Sequence, residues 1–163
     1  MKKRIISIIA CLCLTLGCIA CGNQAEAEKL TAVTGDEFEQ KAKDLAFFVY
    51  DQTEMTKADN ALIDKAYVAF SKVDQNVTIE FDIYQEEQGA IDLYEYLTKS
   101  LEGGKDNFVN PVLTKTDHSL MLEAETDGYF YYVCRIDRTV YLSFIPYGSK
   151  DVAMVLAREL GYS

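Results

Sequence analysis

No stretch of this sequence spells out a reaction. It has no Gly-x-Ser-x-Gly elbow, no His-Glu-x-x-His helix, no P-loop and no Gly-x-Gly-x-x-Gly turn, so the commonest sequence signatures of serine hydrolases, zinc peptidases and nucleotide-binding enzymes are missing. Tryptophan is absent and histidine occurs once, as His118. Of the five cysteines, Cys11, Cys13, Cys18 and Cys21 fall within the first 21 residues, which leaves Cys134 alone in the body. A lone cysteine excludes an intramolecular disulfide there and any Cys-x-x-Cys metal site. The body must therefore be stabilised by burial, and roughly 120 residues suffice for one core.

Positive charge is also scarce. The chain carries 16 basic and 26 acidic residues, net −10. Removal of Lys2, Lys3 and Arg4 with a leader leaves 13 against 26, net −13. The acidic residues are spread along the chain. A surface of that sign repels nucleic acid and anionic lipid headgroups, so neither is an expected partner. It admits a cationic protein partner.

The first 20 residues have the composition of an export signal. Lys2-Lys3-Arg4 forms a basic start, and Ile5 to Ala20 is apolar apart from Ser7 and Thr15. That run is short for a membrane-spanning helix, which needs about 20 apolar residues. Its end resembles the lipobox of bacterial lipoproteins, in which a small residue precedes the cysteine that becomes the lipidated N-terminus. Ala20-Cys21 fits, and Gly17-Cys18 is a competing site. The apolar run reaches Cys21 and the polar segment begins after it, which favours Cys21. Cys18 three residues before that cleavage departs from the usual Leu or Val. The resemblance implies diacylglycerol and palmitate on the cysteine. Two or more acyl chains suffice for stable anchoring, where one is marginal. The expected location is the outer face of the cell membrane. Residues 21–33 are then a flexible tether and 34–163 a single domain.

Within that domain the strongest pattern is a hairpin-plus-helix that recurs 63 residues on, over 66–98 and 129–161. Phe81 falls on Phe144, Tyr84 on Tyr147, Ala90 on Ala153, Leu93 on Leu156 and Leu97 on Leu160. Thr34 and Glu37 form a capping box for a helix carrying Phe38, Ala42 and Leu45 on one face. Phe47 to Tyr50 reads as a strand, and 51–64 as an acidic loop or a helical turn near Ala61-Leu62-Ile63. Alternation in 66–71 and 77–84, with Asp74-Gln75 as the turn, sets Phe70 opposite Ile79 and Val68 opposite Phe81. A helix from Glu86 to Leu101 follows, with Ala90, Tyr94, Leu97 and Leu101 as its stripe and Gly103-Gly104 as its end. Residues 105–119 read as a linker. Strands follow at 120–125, 129–134 and 140–145, with turns at Asp127-Gly128 and Asp137-Arg138. Ser149 caps a last helix, which Gly161 ends. The expected fold is α+β in the order α-βββ-α-βββ-α, one antiparallel sheet with the helices on one face.

Candidate chemistry is thin. Cys134 with His118 would make a thiol–base pair, but a mid-strand cysteine lacks the setting that lowers a thiol pKa. Asp51, Glu54, Asp59 and Asp64 lack calcium-loop spacing. Glu123 and Glu125 read as the wet face of a strand, and no motif calls for a cofactor or metal. The aromatics are more informative. If Val140, Leu142 and Phe144 face the core, then Phe130, Tyr132, Tyr141 and Ile145 share the opposite face of the second hairpin, where the first hairpin is polar. Those four residues are the candidate interaction surface. They are core instead if linker 105–119 or the N-terminal segment covers them.

With lipobox, tether, capped helix and the Arg135-Ile136-Asp137 hairpin in view, the chain resembles small secreted lipoproteins of Gram-positive bacteria, a group without assigned activity. The resemblance implies an envelope location and carries no catalytic residue over. The repeated meander-and-helix plan is loosely similar to tandem α+β inhibitors such as the β-lactamase inhibitor protein, and to TATA-binding-protein-like folds. The expectation is a non-enzymatic binding or interaction protein. An inhibitor of a secreted or envelope hydrolase and a carboxylate-dependent hydrolase are the alternatives.

Overall fold

The computed structural model describes residues 30–124 and 128–163. The leader, Cys18 and Cys21, most of the tether, and Glu125 to Asp127 lie outside the described residues. Within them the protein is α+β, as the patterning predicts: a seven-stranded antiparallel sheet with four helices. In chain order the elements are α1 (Gly35–Asp44), β1 (Phe47–Asp51), α2 (Thr53–Asp59), β2 (Ile63–Ser71), β3 (Thr78–Tyr84), α3 (Glu87–Gly104), β4 (Val112–Lys115), β5 (Ser119–Ala124), β6 (Tyr129–Ile136), β7 (Thr139–Pro146) and α4 (Lys150–Glu159). The strands lie in the order β1-β2-β3-β7-β6-β5-β4. Among the described residues, no helix is long and apolar enough to cross a membrane.

Several local signals form as their chemistry dictates. Thr34 N–H donates to Glu37 Oε2 at 2.7 Å and Glu37 N–H donates to Thr34 Oγ1 at 3.2 Å, which completes the capping box. Asp137 takes φ +48 in the two-residue turn between β6 and β7, where Ile136 pairs with Thr139. Gly161 at φ +78 closes α4, with Tyr162 N–H bonded back to Ala157 and Gly161 N–H to Arg158, a Schellman ending.

Other elements depart from expectation. Residues 53–59 form a helix with only Thr53 buried, so no apolar stripe announces it. Its start is held by Asp51, whose carboxylate accepts Thr53 N–H at 2.8 Å. Part of the expected linker is β4, a four-residue edge strand paired to β5 from Val112↔Glu123 to Lys115↔Leu120. The order is therefore α-β-α-ββ-α-ββββ-α rather than α-βββ-α-βββ-α. Ser149 does not cap α4 with its side chain; its Oγ instead donates to Asp74 Oδ2 at 2.5 Å.

The first hairpin is slipped by one residue from the expected register. Ala69 pairs with Ile79 and Phe70 with Thr78. The cause is the connection. Ser71 N–H bonds to Val77 C=O at 3.1 Å, so five residues, 72–76, form the loop instead of a two-residue turn at Asp74-Gln75. Ser71 Oγ organises the loop by accepting from Val73 and Asp74 N–H, and Asp74 Oδ1 by accepting from Asn76 N–H. Because strand side chains alternate, a slip of one residue moves a whole set to the other face. Tyr67, Ala69, Ile79 and Phe81 share one face, and Val68, Phe70, Thr78, Glu80 and Asp82 share the other.

Nor are the helices on one face. Phe38 and Ala42 of α1, with Ala153, Leu156 and Ala157 of α4, pack against Ala69, Ile79, Phe81, Phe130 and Tyr141. Ala90 and Tyr94 of α3 pack against Ala66, Leu120, Val133 and Val140 on the opposite face. A two-fold axis normal to the sheet would exchange β2-β3 with β7-β6 but would leave each face where it is. Since α3 and α4 lie on opposite faces, the two hairpin-plus-helix units have opposite hand. No rotation superposes them, and the 63-residue sequence pattern is not a structural repeat.

Candidate interaction face

The four residues expected to form an interaction surface are core residues. Phe130, Tyr132, Tyr141 and Ile145 are all buried. The cover is α1 and α4, together with Ala32 and Val33 ahead of α1, and not the linker. Tyr141 Oη donates to the Ala153 carbonyl of α4 at 2.9 Å. Tyr132 Oη donates to the Tyr162 carbonyl, and the Tyr162 hydroxyl bonds Thr139 Oγ1. Burial pushes the Tyr141 hydroxyl well above its ordinary value and Tyr162 up to about 12. These tyrosines fasten the C-terminus to the sheet, each supplying apolar area and a satisfied polar tip.

The remaining sequence candidates are also placed. Cys134 sits in that same core, and burial pushes its thiol up to about 11, opposite to the shift a nucleophile needs. His118 is exposed in the β4–β5 turn. Glu123 is half-buried and bonds Lys150 at 2.7 Å, so it does not lie on a fully wet face. Asp51 caps α2 and its carboxyl is held low by hydrogen bonds from Thr53, while Asp64 pairs with Arg138 at 3.5 Å.

The exposed aromatics lie on the other side of the sheet. Here α3 covers β6, β7 and the ends of β2 and β3 around Ala66 and Tyr84, and β1 with the opposite ends of β2 and β3, around Phe70 and Thr78, is left without a helix over it. Phe48 is 55% exposed, Tyr50 56%, Phe70 37%, Phe144 51% and Tyr129 42%. Register places them side by side. Phe48 pairs with Phe70 and Phe70 with Thr78; the β3–β7 register sets Thr78 beside Phe144, which pairs with Tyr131. An aromatic row interrupted only by Thr78 thus crosses five strands. At one end Tyr50 meets Phe70 edge-on at 5.7 Å. At the other Tyr131 stacks on Phe144 at 4.2 Å and Tyr129 on Phe144 at 5.4 Å. Phe108 closes that end, 5.8 Å from Tyr131. Lys72 lies over the Phe48 ring at 4.5 Å.

Beside this row runs a second, Tyr50–Val68–Glu80–Leu142, and then a third, Ala66–Asp82–Val140. Glu80 is exposed and Asp82 half-buried. Burial, then the neighbouring Glu80 charge, pushes the Asp82 carboxyl up to about 7. Sequence reasoning missed Phe48, Tyr50 and Phe70 because the register it assumed put Phe70 inside. The available signal was that the second hairpin is apolar on both sides while α3 is a single helix.

No family model, no curated protein and no solved structure matches the chain.

Proposed function

We propose that this chain is a lipid-anchored extracytoplasmic interaction protein, without catalytic activity of its own, that receives a protein partner on the sheet face left open by α3. The observation that carries the reading is the aromatic row Phe48, Phe70, Phe144 with Tyr50 and Tyr129 beside it. Large contiguous exposed apolar patches are uncommon on monomeric soluble proteins and mark interaction sites. The row lies on paired strands, so its geometry is fixed by the backbone ladder and little ordering is needed on binding.

The anchor rests on Ala20-Cys21 and the basic, apolar leader before it. Replacing Cys21 with Ala is expected to move the protein from the membrane fraction to the medium and to remove metabolically incorporated palmitate. Retention of both label and membrane association transfers the anchor to Cys18. The face is tested by a photo-crosslinking residue in the full chain. The expected result is that positions 50 and 144 capture one and the same partner while position 59 on α2 does not. Equal capture from all three positions contradicts the reading.

A second reading is favoured by one observation. Glu80 and Asp82 sit two residues apart on one strand face, with Asp82 pushed up to about 7. Glycoside hydrolysis uses two carboxyl groups, one of them held protonated as the general acid. Against it, the pair lies on an open sheet face, where the reaction would run in bulk water. Hydrolysis of a glycan by the wild type and not by Asp82→Asn would establish this second reading in place of the first.

A further inference from the structure

We propose that the partner presents a basic segment, lysine- or arginine-rich, to the open face. The inference rests on the reading of that face as an interaction surface and names the chemistry of what it receives.

Beside the aromatic row stand two carboxylates without a counter-charge, Glu80 exposed in the second row and Asp82 half-buried in the third. Among the described residues neither Glu80 nor Asp82 has an ion-pair or hydrogen-bond partner, and the one charge interaction between them is mutual repulsion. Their lateral neighbours are apolar: Val68 and Leu142 flank Glu80, and Ala66 and Val140 flank Asp82. The nearby cations are engaged elsewhere. Arg135 bonds Glu87 at 2.9 Å and Arg138 pairs with Asp64. Lys72 marks one corner of the face, over Phe48. The open surface is therefore an apolar field, edged by rings, with the unpaired exposed carboxylate of Glu80 beside the aromatic row, on a chain of net charge −10.

A lysine or arginine side chain matches both features at once. Its methylene stem lies along apolar surface while its charged head reaches out. The negative faces of the rings attract that head, and the Glu80 carboxylate gives it a counter-charge. Lys72 over Phe48 already shows the cation-over-ring geometry on this face. The other classes of occupant match only one feature. A neutral glycan would stack on the rings and leave the Glu80 carboxylate without a counter-charge. Anionic lipid and nucleic acid would be repelled by it.

The probe is an octalysine peptide, titrated against the full-length protein and followed by tyrosine fluorescence, with each variant's far-UV circular dichroism recorded to confirm the fold. Saturable binding is expected. Glu80→Gln should weaken it about fivefold, as should Phe48→Ser, each having lost roughly 1 kcal/mol of a charge or ring contact. Asp59→Asn on α2 serves as the control and should change it less than twofold. An equal loss in the control, or no binding, overturns the basic-partner inference. If Phe48→Ser abolishes capture of the crosslinked partner while Glu80→Gln leaves both capture and peptide binding intact, the basic-partner inference falls and the interaction face stands. If neither variant affects capture, the interaction face falls as well. Binding of neutral-lipid or anionic vesicles in preference to the peptide also overturns the proposal.

Discussion

Asp82→Asn is expected to make the protein more stable, and increasingly so as pH rises. Asp82 lies on β3 between Ala66 and Val140 at the border of the core beneath α3. Burial raises its carboxyl from an ordinary 3.8 to about 7, and Glu80 adds to the shift. Tyr84, next along the same strand face, is itself pushed up to about 12 by burial and the Asp82 charge. The folded state thus holds its proton to higher pH than the unfolded chain. The stability linked to this group is fully present below 3.8, declines as pH rises, and is lost by the time pH passes about 7. At about 1.4 kcal/mol per pH unit, the interval sets a ceiling of about 4 kcal/mol. Asp82 keeps a partly open side, which lets water screen the ionised form, so about 2 kcal/mol is expected. Asparagine has the shape of the protonated acid and cannot ionise. Urea unfolding of wild type and variant at pH 4.5 and pH 8 measures the effect. The Asn variant should gain about 2 kcal/mol on the wild type between the two pH values. Asp51, Asp74 and Glu37, whose carboxyls are held low, contribute the opposite slope equally to both proteins and cancel. Parallel stability profiles would refute the reasoning.

Three further outcomes follow from the core. The double variant Tyr132→Ser with Tyr141→Ser should lose the folded state, because it removes two buried rings and the hydroxyls that hold Tyr162 and Ala153; a native-like melt would contradict that packing. Gly89→Ala at the start of α3 places a Cβ 2.3 Å from Cδ1 of the buried Tyr84 ring. It should cost about 1–3 kcal/mol in chemical denaturation, and an unchanged midpoint would show that the ring has room to move. Cys134 should resist iodoacetamide in the folded protein and react on unfolding, as judged from the mass of its peptide, since it is buried with its thiol pushed up to about 11. Rapid native labelling would place it outside the core.

The features legible in the sequence are those decided by residues a few positions apart. Thr34 and Glu37, the Asp137-Arg138 turn, the α3 stripe and Gly161 all act within one turn of chain, and all form as read. The side of the sheet each helix covers is not local. Both faces of β6 and β7 are apolar, so alternation could not say which face meets α4 and which meets α3. The register of the first hairpin depended on Ser71 and Asp74 closing a five-residue loop, and Asp74-Gln75 looked equally able to make a shorter one. That single-residue difference hid the open aromatic face. It moved Phe70 from the expected core to the open face, and it set Val68 rather than Ala69 opposite Glu80. α2 and β4 escaped notice because neither buries a stripe of its own.

The central claim is that the open face, and not the side covered by α1 and α4, meets the partner. Amide hydrogen exchange of the full-length chain, with and without the crosslink-identified partner, tests it most directly. The account predicts slowed exchange in β1 and in the exposed strand segments around Phe70 and Phe144, with α1 and α4 unchanged. Slowed exchange confined to α1 and α4, with β1 unaffected, would contradict it.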